Sequence, residues 1–354
     1  MRPPIDTLRR ILASGILAPS ADNHLALQFQ LHDDHVVLLA TDAATWAAQP
    51  HRQFLAHLAH GAVVENMALQ SASEGLDLLV TWLPDALHPE RIAALQWLPA
   101  TAPPDGLGQA MAGRHTNRAF YSRARLPPST LQDLAHAAAA ITGASVAWLD
   151  DGVRRTQALA AIRLAETERF ARRELHAELF NAIQFDVGWQ RTVAQGLPPG
   201  ALAIERPMRG AFTLLRRWPL MRWAQSLGLH HALGLRAGYL PCALAPHVGL
   251  LLDAHPNPRL GALHAGRALQ RVWLAATQHG LALQPMAAAT TLVRQASGQG
   301  WVDAQVQQRL RHLLRALSPP PQAQPMMFFR LGRARQGDVV TARHEVDHYL
   351  SPRA

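Results

Sequence analysis

The sequence predicts an α+β protein made of two similar halves. Helical periodicity alternates with short apolar strand patterns along most of the 354 residues, and 49% apolar side chains suffice for a sizeable core. Residues 61–76 also align without gaps with residues 266–281, and each copy places a helix between two glycines with a strand after it. Two such copies predict a pseudo-dimer in which each half covers the other's apolar face. The identities are Gly61 with Gly266, Leu69 with Leu274, Gly75 with Gly280, and Leu76 with Leu281.

Charge and cysteine usage exclude several classes of protein. The net charge is +9, and all 34 residues counted as lysine or arginine are arginine. They occur as isolated pairs such as Arg9-Arg10, without the dense basic and aromatic run that favours nucleic-acid binding, so we expect no nucleic-acid partner. The single cysteine, Cys242, excludes an intramolecular disulfide and a cysteine-based zinc site, and its apolar neighbours predict a buried thiol.

The N-terminal segment faintly resembles a twin-arginine signal at Arg9-Arg10, but its apolar run stops at Pro19. Ile5, Leu8 and Leu12 instead recur at helical spacing. No window reaches the roughly eighteen uninterrupted apolar residues that a membrane span requires. We therefore expect a cytoplasmic protein with no membrane partner, either a monomer or a homodimer.

The first half is predicted to contain two helices and three strands. The expected elements are a helix over residues 5–17, a β-hairpin over 27–31 and 36–39, a helix over 51–74 and a strand over 76–83. The stretch 99–108, which contains proline and glycine, is expected to be a linker.

The second half is predicted to carry a helical insert. The expected elements are a helix opening at Pro128, strands over 144–149, 247–253 and 326–331, and helices over 263–279 and 302–317. The pattern between about 152 and 238 is mostly helical, with an interruption at 196–200. The predicted halves are therefore residues 1–108 and residues 109–354, the latter with the insert at about 152–238.

Two motifs resemble signatures of the nitroreductase family. Residues 18–23, APSADN, precede a predicted strand with Phe29 and resemble the family's APS-x-x-N-x-QPW-x-F signature. Here Leu25-Ala26-Leu27 stands where Gln-Pro-Trp is usual, which leaves the shape of the pocket floor open. Residues 114–120, RHTNRAF, resemble its R-x-[ST]-x-[RK]-x-F phosphate-binding signature.

Three further segments are similar to C-terminal features of the same family. Residues 280–286, GLALQPM, are similar to its G-L-x-x-x-P loop. Residues 329–332, FRLG, resemble its strand ending in R-x-G, and residues 343–346, RHEV, resemble the basic stretch beyond that strand. Because the APS segment lies in the first half and the arginine signature in the second, the chain resembles the fused, single-chain Acg-like branch. This resemblance implies one FMN per chain, held by both halves.

The resemblance also implies which residues contact FMN. Arg114, Arg118 and Arg343 would pair with its phosphate, because guanidinium groups bind phosphate in a planar, bidentate way. Thr116 would add a hydroxyl donor, and Asn117 would reach the ribityl chain or the flavin edge. The other implied contacts are Pro19, Ser20 and Asn23 of the APS segment, and Pro285, Met286 and Ala287 of the loop, whose backbone N–H groups would face the flavin N5 and O4 edge.

The implied function is hydride transfer from NADH or NADPH through FMN to a small acceptor of the nitroaromatic or quinone type. No catalytic side chain is implied, because the cofactor carries this chemistry. The alternative is a non-catalytic FMN-binding or FMN-sequestering protein, in which an insert containing Trp189, Trp218 and Trp223 covers the flavin.

A zinc site is disfavoured. Residues 344–348, HEVDH, match the zincin pattern H-E-x-x-H, which requires a helix and a third ligand. Only six residues follow the motif, and residues 339–341 before it predict a strand. The adjacent His230 and His231 would face different sides of a helix, so a solvated or capping role is favoured over metal binding.

Overall fold

The computed structural model describes residues 2–295, 301–318, 323–337 and 339–351, and its mixture of helices with two sheets confirms the predicted α+β class. The elements of the first half are α1 (Ile5–Ile16), β1 (Leu27–Leu31), β2 (Val36–Ala40), α2 (Pro50–Ser73), β3 (Leu76–Trp82) and β4 (Arg91–Pro99). Strand β4 was not predicted, and only the part of the expected linker that follows Pro99 lies outside a strand.

In the described part of the second half, ten α-helices and four strands follow, introduced here in chain order. They are α3 (Pro128–Ala139), β5 (Ala144–Trp148), α4 (Gly152–Ala171), α5 (Arg173–Asn181), α6 (Arg209–Leu215), α7 (Trp218–Ser226), α8 (Leu229–Gly234), α9 (Leu240–Leu244), β6 (His247–Asp253), α10 (Pro258–Gln278), β7 (Ala282–Met286), α11 (Ala288–Leu292), α12 (Ala304–Ala316) and β8 (Gln324–Gly332). Helix α10 begins five residues earlier than predicted, because the Asn257 side chain caps the backbone N–H groups of Arg259 and Leu260.

The two sheets have the same strand order. The first sheet runs β1-β2-β4-β3 and the second β5-β6-β8-β7, and all neighbouring strands are antiparallel. In each sheet the first two strands are neighbours, but the connections between them differ in length. Residues 32–35 connect β1 to β2, and residues 149–246 connect β5 to β6. The second connection contains helices α4 to α9, which form the insert.

Helices α2 and α10 join the two halves through a reciprocal contact. Gly61 of α2 lies against the Leu263 backbone, and Gly266 of α10 lies against the Leu58 backbone, so closely that a Cβ on either glycine would overlap a carbonyl oxygen. The sequence separation between Gly61 and Gly266 equals that between Leu58 and Leu263. Leu58 packs in the core of the second half, while Leu263 packs in the core of the first. Each half thus supplies a leucine to the other half's core.

The segment after β8 returns to the first half. Arg343 donates to the carbonyl of Ile16, the last residue of α1, and the backbone N–H of Ser351 donates to the Phe29 carbonyl of β1 at 2.9 Å. The strand predicted over 339–341 is wrong, because these residues have no regular structure and the neighbouring Ala342 donates its N–H to Val193 of the insert. Within the described residues, no helix is long and apolar enough to cross a membrane.

Candidate functional site

A cavity of about 710 Å³ lies where the two halves and the insert meet. Such a volume falls within the range of cofactor and ligand pockets. The first half contributes Pro19 and Ser20, and the second half contributes Thr116, Arg118 and the loop that follows β7. A second, adjoining cavity of about 60 Å³ shares Pro19, Ser20, Thr116 and Arg118 with the first. Residues that the sequence separates by almost a hundred positions therefore border one site.

The APS segment forms a tight turn directly after α1. Asp22 and Asn23 adopt positive φ angles of 52° and 56°, a conformation in which Asp and Asn are tolerated better than other non-glycine residues. The buried Asn23 side chain accepts a hydrogen bond from Arg343 and donates to the carbonyls of Val193 at 3.3 Å and Ala342 at 3.4 Å. Asn23 borders the small cavity, where its side chain ties the turn to the insert and the C-terminal segment.

The arginine signature is attached to the edge of the second sheet. Thr116 forms a parallel bridge with Leu283 of β7, and the Asn117 N–H donates to the Leu283 carbonyl at 3.3 Å. Asn117 is buried and borders neither cavity: its amide donates to the Arg335 carbonyl at 2.8 Å and accepts from the Ala119 N–H at 3.0 Å. Its predicted contact with the ribityl chain or flavin edge stays a prediction.

Three guanidinium groups surround the small cavity. Arg114, Arg118 and Arg343 all border it, and Asp22 is the one acidic residue among the described residues of its lining. Burial lowers the pKa of Arg114 to about 9, with a contribution from the positive charge of Arg343, and burial also lowers the pKa values of Arg118 and Arg343. Since arginine stays protonated in proteins, these shifts indicate positive charge that the protein itself compensates poorly.

Arg114 and Arg118 each donate one hydrogen bond to a backbone carbonyl. Arg114 Nη2 donates to the Leu17 carbonyl at 3.3 Å, and the guanidinium carbon of Arg114 lies 4.5 Å from the centre of the Trp273 ring. Its Nε is buried and has no hydrogen-bond partner among the described residues. Arg118 donates to the Ala201 carbonyl of the insert at 3.1 Å. Both therefore keep N–H groups for an anion such as a phosphate.

Arg343 is held more firmly. Its Nε donates to the Ile16 carbonyl at 2.8 Å, and its Nη2 donates to the Ala18 carbonyl at 2.6 Å and to Ser20 Oγ at 3.1 Å. These carbonyls are the last ones of α1 and the first of the turn, where a cation is favoured. Arg343 thus fixes the APS turn as well as adding positive charge to the cavity.

The end of β7 and the residue after it border the large cavity. Pro285 and Met286, which were expected in a loop, belong to β7 and pair with β8. Ala287 follows the strand, α11 begins immediately afterwards, and all three residues line the cavity. Pro285 has no N–H and Met286 pairs with β8, so Ala287 and the first residues of α11 are the candidate backbone donors here. Arg330 of β8 contacts the same strand, because its Nε donates to Gln284 Oε1 at 2.8 Å.

Sequence reasoning missed several polar residues of the site. Asp22 borders both cavities, and burial raises its pKa although Arg169 opposes the shift. Gln295 is buried in the wall of the large cavity, and neither its Oε1 nor its Nε2 has a hydrogen-bond partner among the described residues. Asp22 lies inside the recognised APS segment, whereas no pattern near Gln295 indicates a site.

The insert lines the large cavity with both apolar and charged residues. Its apolar residues there include Phe170, Leu179, Leu202, Phe212, Leu220 and Trp223, and its charged ones are Glu166, Arg169, Glu178, Glu205 and Arg236. The HEVDH segment lies elsewhere: it borders neither cavity, it contains no α-helix, and no metal-binding group of three or more His, Cys, Asp or Glu side chains occurs in the described part of the chain.

No family model and no curated protein matches this sequence. Among solved structures, the chain is similar to a nitroreductase with bound FMN from Bacteroides fragilis NCTC 9343, at 13% identity over 66% of this chain and 90% of that chain, with a TM-score of 0.37. It is also similar to a nitroreductase with bound FMN from Desulfitobacterium hafniense DCB-2, at 15% identity over 67% and 92%, with a TM-score of 0.35. A third is the FMN-dependent nitroreductase NfnB from Mycobacterium smegmatis in complex with NADPH, at 19% identity over 70% and 95%, with a TM-score of 0.32. Likenesses with such TM-scores assign no activity to the chain.

Proposed function

We propose that this chain is an FMN-binding, nitroreductase-like oxidoreductase with one flavin site per chain. The observation that supports the proposal is the convergence of Arg114, Arg118 and Arg343 on a small cavity that adjoins a much larger one. A phosphate at the small cavity would receive charge-assisted hydrogen bonds from these arginines of the second half and from the Ser20 hydroxyl of the first. The large cavity would then take the isoalloxazine ring, and bound FMN would supply hydride transfer from NADH or NADPH to a small acceptor.

The protein's own residues would bind and orient the cofactor. Ser20 and Thr116 offer hydroxyl groups at the junction of the two cavities, and Arg343 keeps Ser20 and Asn23 in place. The Met286 and Ala287 backbone would contact the ring system from the second sheet. The apolar residues of the insert would exclude water from the ring's surroundings, which strengthens polar interactions there.

The proposal includes an internal duplication, with a first half at residues 1–108 and a second at 109–354. Equal strand order in the two sheets and the reciprocal Gly61 and Gly266 contacts support it. In a two-fold dimer, residue i of one subunit contacts residue j of the other and the reverse, which is the pattern seen here within one chain. The single arginine signature then explains why one site, rather than two, is proposed.

FMN titration tests the phosphate site. Arg114→Ala and Arg118→Ala should each weaken FMN binding by about 1.5–3 kcal/mol, roughly 10- to 150-fold, because hydrogen bonds to charged groups contribute that much. Arg309→Ala, which removes an exposed arginine of α12, is the matched control. Equal affinities for the three variants would contradict the phosphate site, and two FMN per chain would contradict the single-site arrangement.

A non-catalytic FMN-binding protein is the second candidate, favoured by the insert residues that wall the large cavity, such as Leu202 and Trp223. Anaerobic stopped-flow mixing with NADH and with NADPH separates the two candidates. An oxidoreductase should lose its flavin absorbance with at least one donor and regain it with a nitroaromatic or quinone. Failure of both donors, while dithionite still bleaches the flavin, would favour the binding protein.

A further inference from the structure

Helix α7 carries an uncovered apolar face. Met221 and Ala224 are buried against the rest of the insert. On another face Leu220, Trp223 and Leu227 follow one another at spacings of three and four residues, so they form one stripe along the helix. Their exposed fractions are 41%, 66% and 71%. Large apolar side chains grouped in this way mark a contact surface rather than the scattered exposure of ordinary surfaces.

The stripe leads from the large cavity to the outside of the molecule. Leu220 and Trp223 border the cavity, as do Met208 and Leu214 near α6, which are also more than half exposed. Leu227 lies beyond the cavity lining. These apolar lining residues are therefore continuous with an apolar outer surface, which we call the α6–α7 surface (residues 206–227).

The α6–α7 surface is also strongly basic. Arg206, Arg216, Arg217 and Arg222 are exposed, and none of them forms an ion pair with another residue that the structure describes. The sequence contains no Asp or Glu from residue 206 to residue 252. The last acidic residue before this stretch, Glu205, pairs with Arg236. Uncompensated arginines beside an apolar stripe with a tryptophan are complementary to anionic headgroups above acyl chains.

We propose that the α6–α7 surface binds an anionic lipid bilayer, with Leu220, Trp223 and Leu227 in the acyl boundary and the arginines at the phosphates. The large cavity then opens towards the bilayer. The sequence lacks a spanning segment, which led us to expect no membrane partner, but a surface contact of this kind needs no span. The proposal is independent of the flavin site and goes beyond the proposed oxidoreductase function.

Vesicle co-sedimentation with the full chain tests the proposal. The protein should sediment with vesicles of phosphatidylcholine and phosphatidylglycerol and remain in solution with phosphatidylcholine alone. Arg217→Gln/Arg222→Gln should lower the partition coefficient roughly 25-fold, about fivefold for each arginine near an anionic surface. Arg309→Gln/Arg315→Gln removes the same charge from exposed positions of α12 and should change the coefficient less than twofold.

A second variant tests the apolar stripe. Trp223→Ser/Leu227→Ser should also weaken binding to the anionic vesicles by at least tenfold. No sedimentation of the unmodified chain, or equal losses in both arginine pairs, would overturn the proposal. So would a concentration-dependent dimer in light scattering that Trp223→Ser/Leu227→Ser abolishes, since a second copy would then cover the stripe. Without vesicles, the arginine variants should bind FMN with the same affinity as the unmodified protein. Failure of the membrane proposal can therefore be distinguished from failure of the flavin proposal.

Discussion

The connections between the first two strands of each sheet differ more than any other equivalent parts of the molecule. Residues 32–35 join β1 to β2, whereas residues 149–246 join β5 to β6. Both strand pairs are nevertheless antiparallel neighbours in sheets of equal order. Because the ends of a hairpin are already adjacent, a long insertion there costs little closure entropy. The insert also lines the large cavity, whereas the two sheets and the central helices α2 and α10 supply the framework.

The two central helices, α2 and α10, are alike at some aligned positions and different at others. Gly61 of α2 and Gly266 of α10 have equivalent surroundings. By contrast, the buried His57 and His60 of α2 correspond in the alignment to Ala262 and Ala265 of α10. The glycine contact thus occurs on both helices, whereas at these two positions buried imidazoles occur on α2 alone.

The largest expected effect comes from filling the shared helix contact. Gly61→Ala and Gly266→Ala should each lower the free energy of unfolding by about 3 kcal/mol, the upper end of the usual range, because the new methyl group overlaps a backbone carbonyl that cannot move aside as a side chain can. Urea denaturation followed by circular dichroism measures the loss. Gly210→Ala in α6 is the control, since its added Cβ meets nothing within 4 Å, and it should be neutral or slightly stabilising. A large loss for one glycine and none for its counterpart would contradict the equivalence of the halves.

A smaller effect on the free energy of unfolding should come from the buried histidines of α2 at acidic pH. Burial lowers the pKa of His57 to about 3 and that of His60 to about 4, both below the ordinary value of 6.5. Below pH 6.5 the unfolded chain therefore binds more protons than the folded chain does. The free energy of unfolding consequently has its full value above that pH and decreases as the pH falls. Between pH 7.5 and pH 5 each histidine should lower the free energy of unfolding by about 2 kcal/mol.

His60→Gln tests this pH dependence with a neutral side chain. The fall in unfolding free energy between pH 7.5 and pH 5, measured by urea titrations, should shrink by about 2 kcal/mol relative to the unmodified protein. His312→Gln replaces an exposed histidine of α12 and should leave the fall unchanged. The same fall in both variants would show that His60 takes up its proton without penalty.

Local patterns in the sequence predicted most of the framework. Helices α1, α2 and α12 and strands β1, β2, β3, β6 and β8 were expected within a few residues of their observed bounds. Strand β4 was missed for a physical reason: a bulge opposite Leu38 and Leu39 buries both Ile92 and Ala93, which breaks the alternation that marks a strand. The strand expected at 339–341 has the β-branched residues of a strand, but its neighbour Ala342 hydrogen-bonds to the insert instead.

The candidate site was predictable only where motifs occur. The APS turn and the arginine signature have recognisable charge and turn chemistry, and the structure brings both to the same pair of cavities. Gln295 and the insert wall had no such signal, since an apolar residue facing a cavity has the same helical periodicity as one facing a core. Which buried side chain lies beside open space depends on long-range packing.

The smallest predicted effect concerns the glycines that end the repeated helices. Gly75 and Gly280 follow α2 and α10 with φ angles of +73° and +66°, and an added Cβ at either position meets nothing within 4 Å. Substitution by alanine therefore costs only the left-handed backbone conformation, about 1 kcal/mol at each position. Asparagine tolerates this conformation better, so Gly75→Asn and Gly280→Asn should be less destabilising than the alanine variants. At each position the urea midpoint should be highest with glycine, lower with asparagine and lowest with alanine. The differences between these midpoints should be the same at both positions. A cost at Gly75 several times that at Gly280 would mean that the two helix ends, although equal in backbone geometry, contribute differently to the stability of their halves.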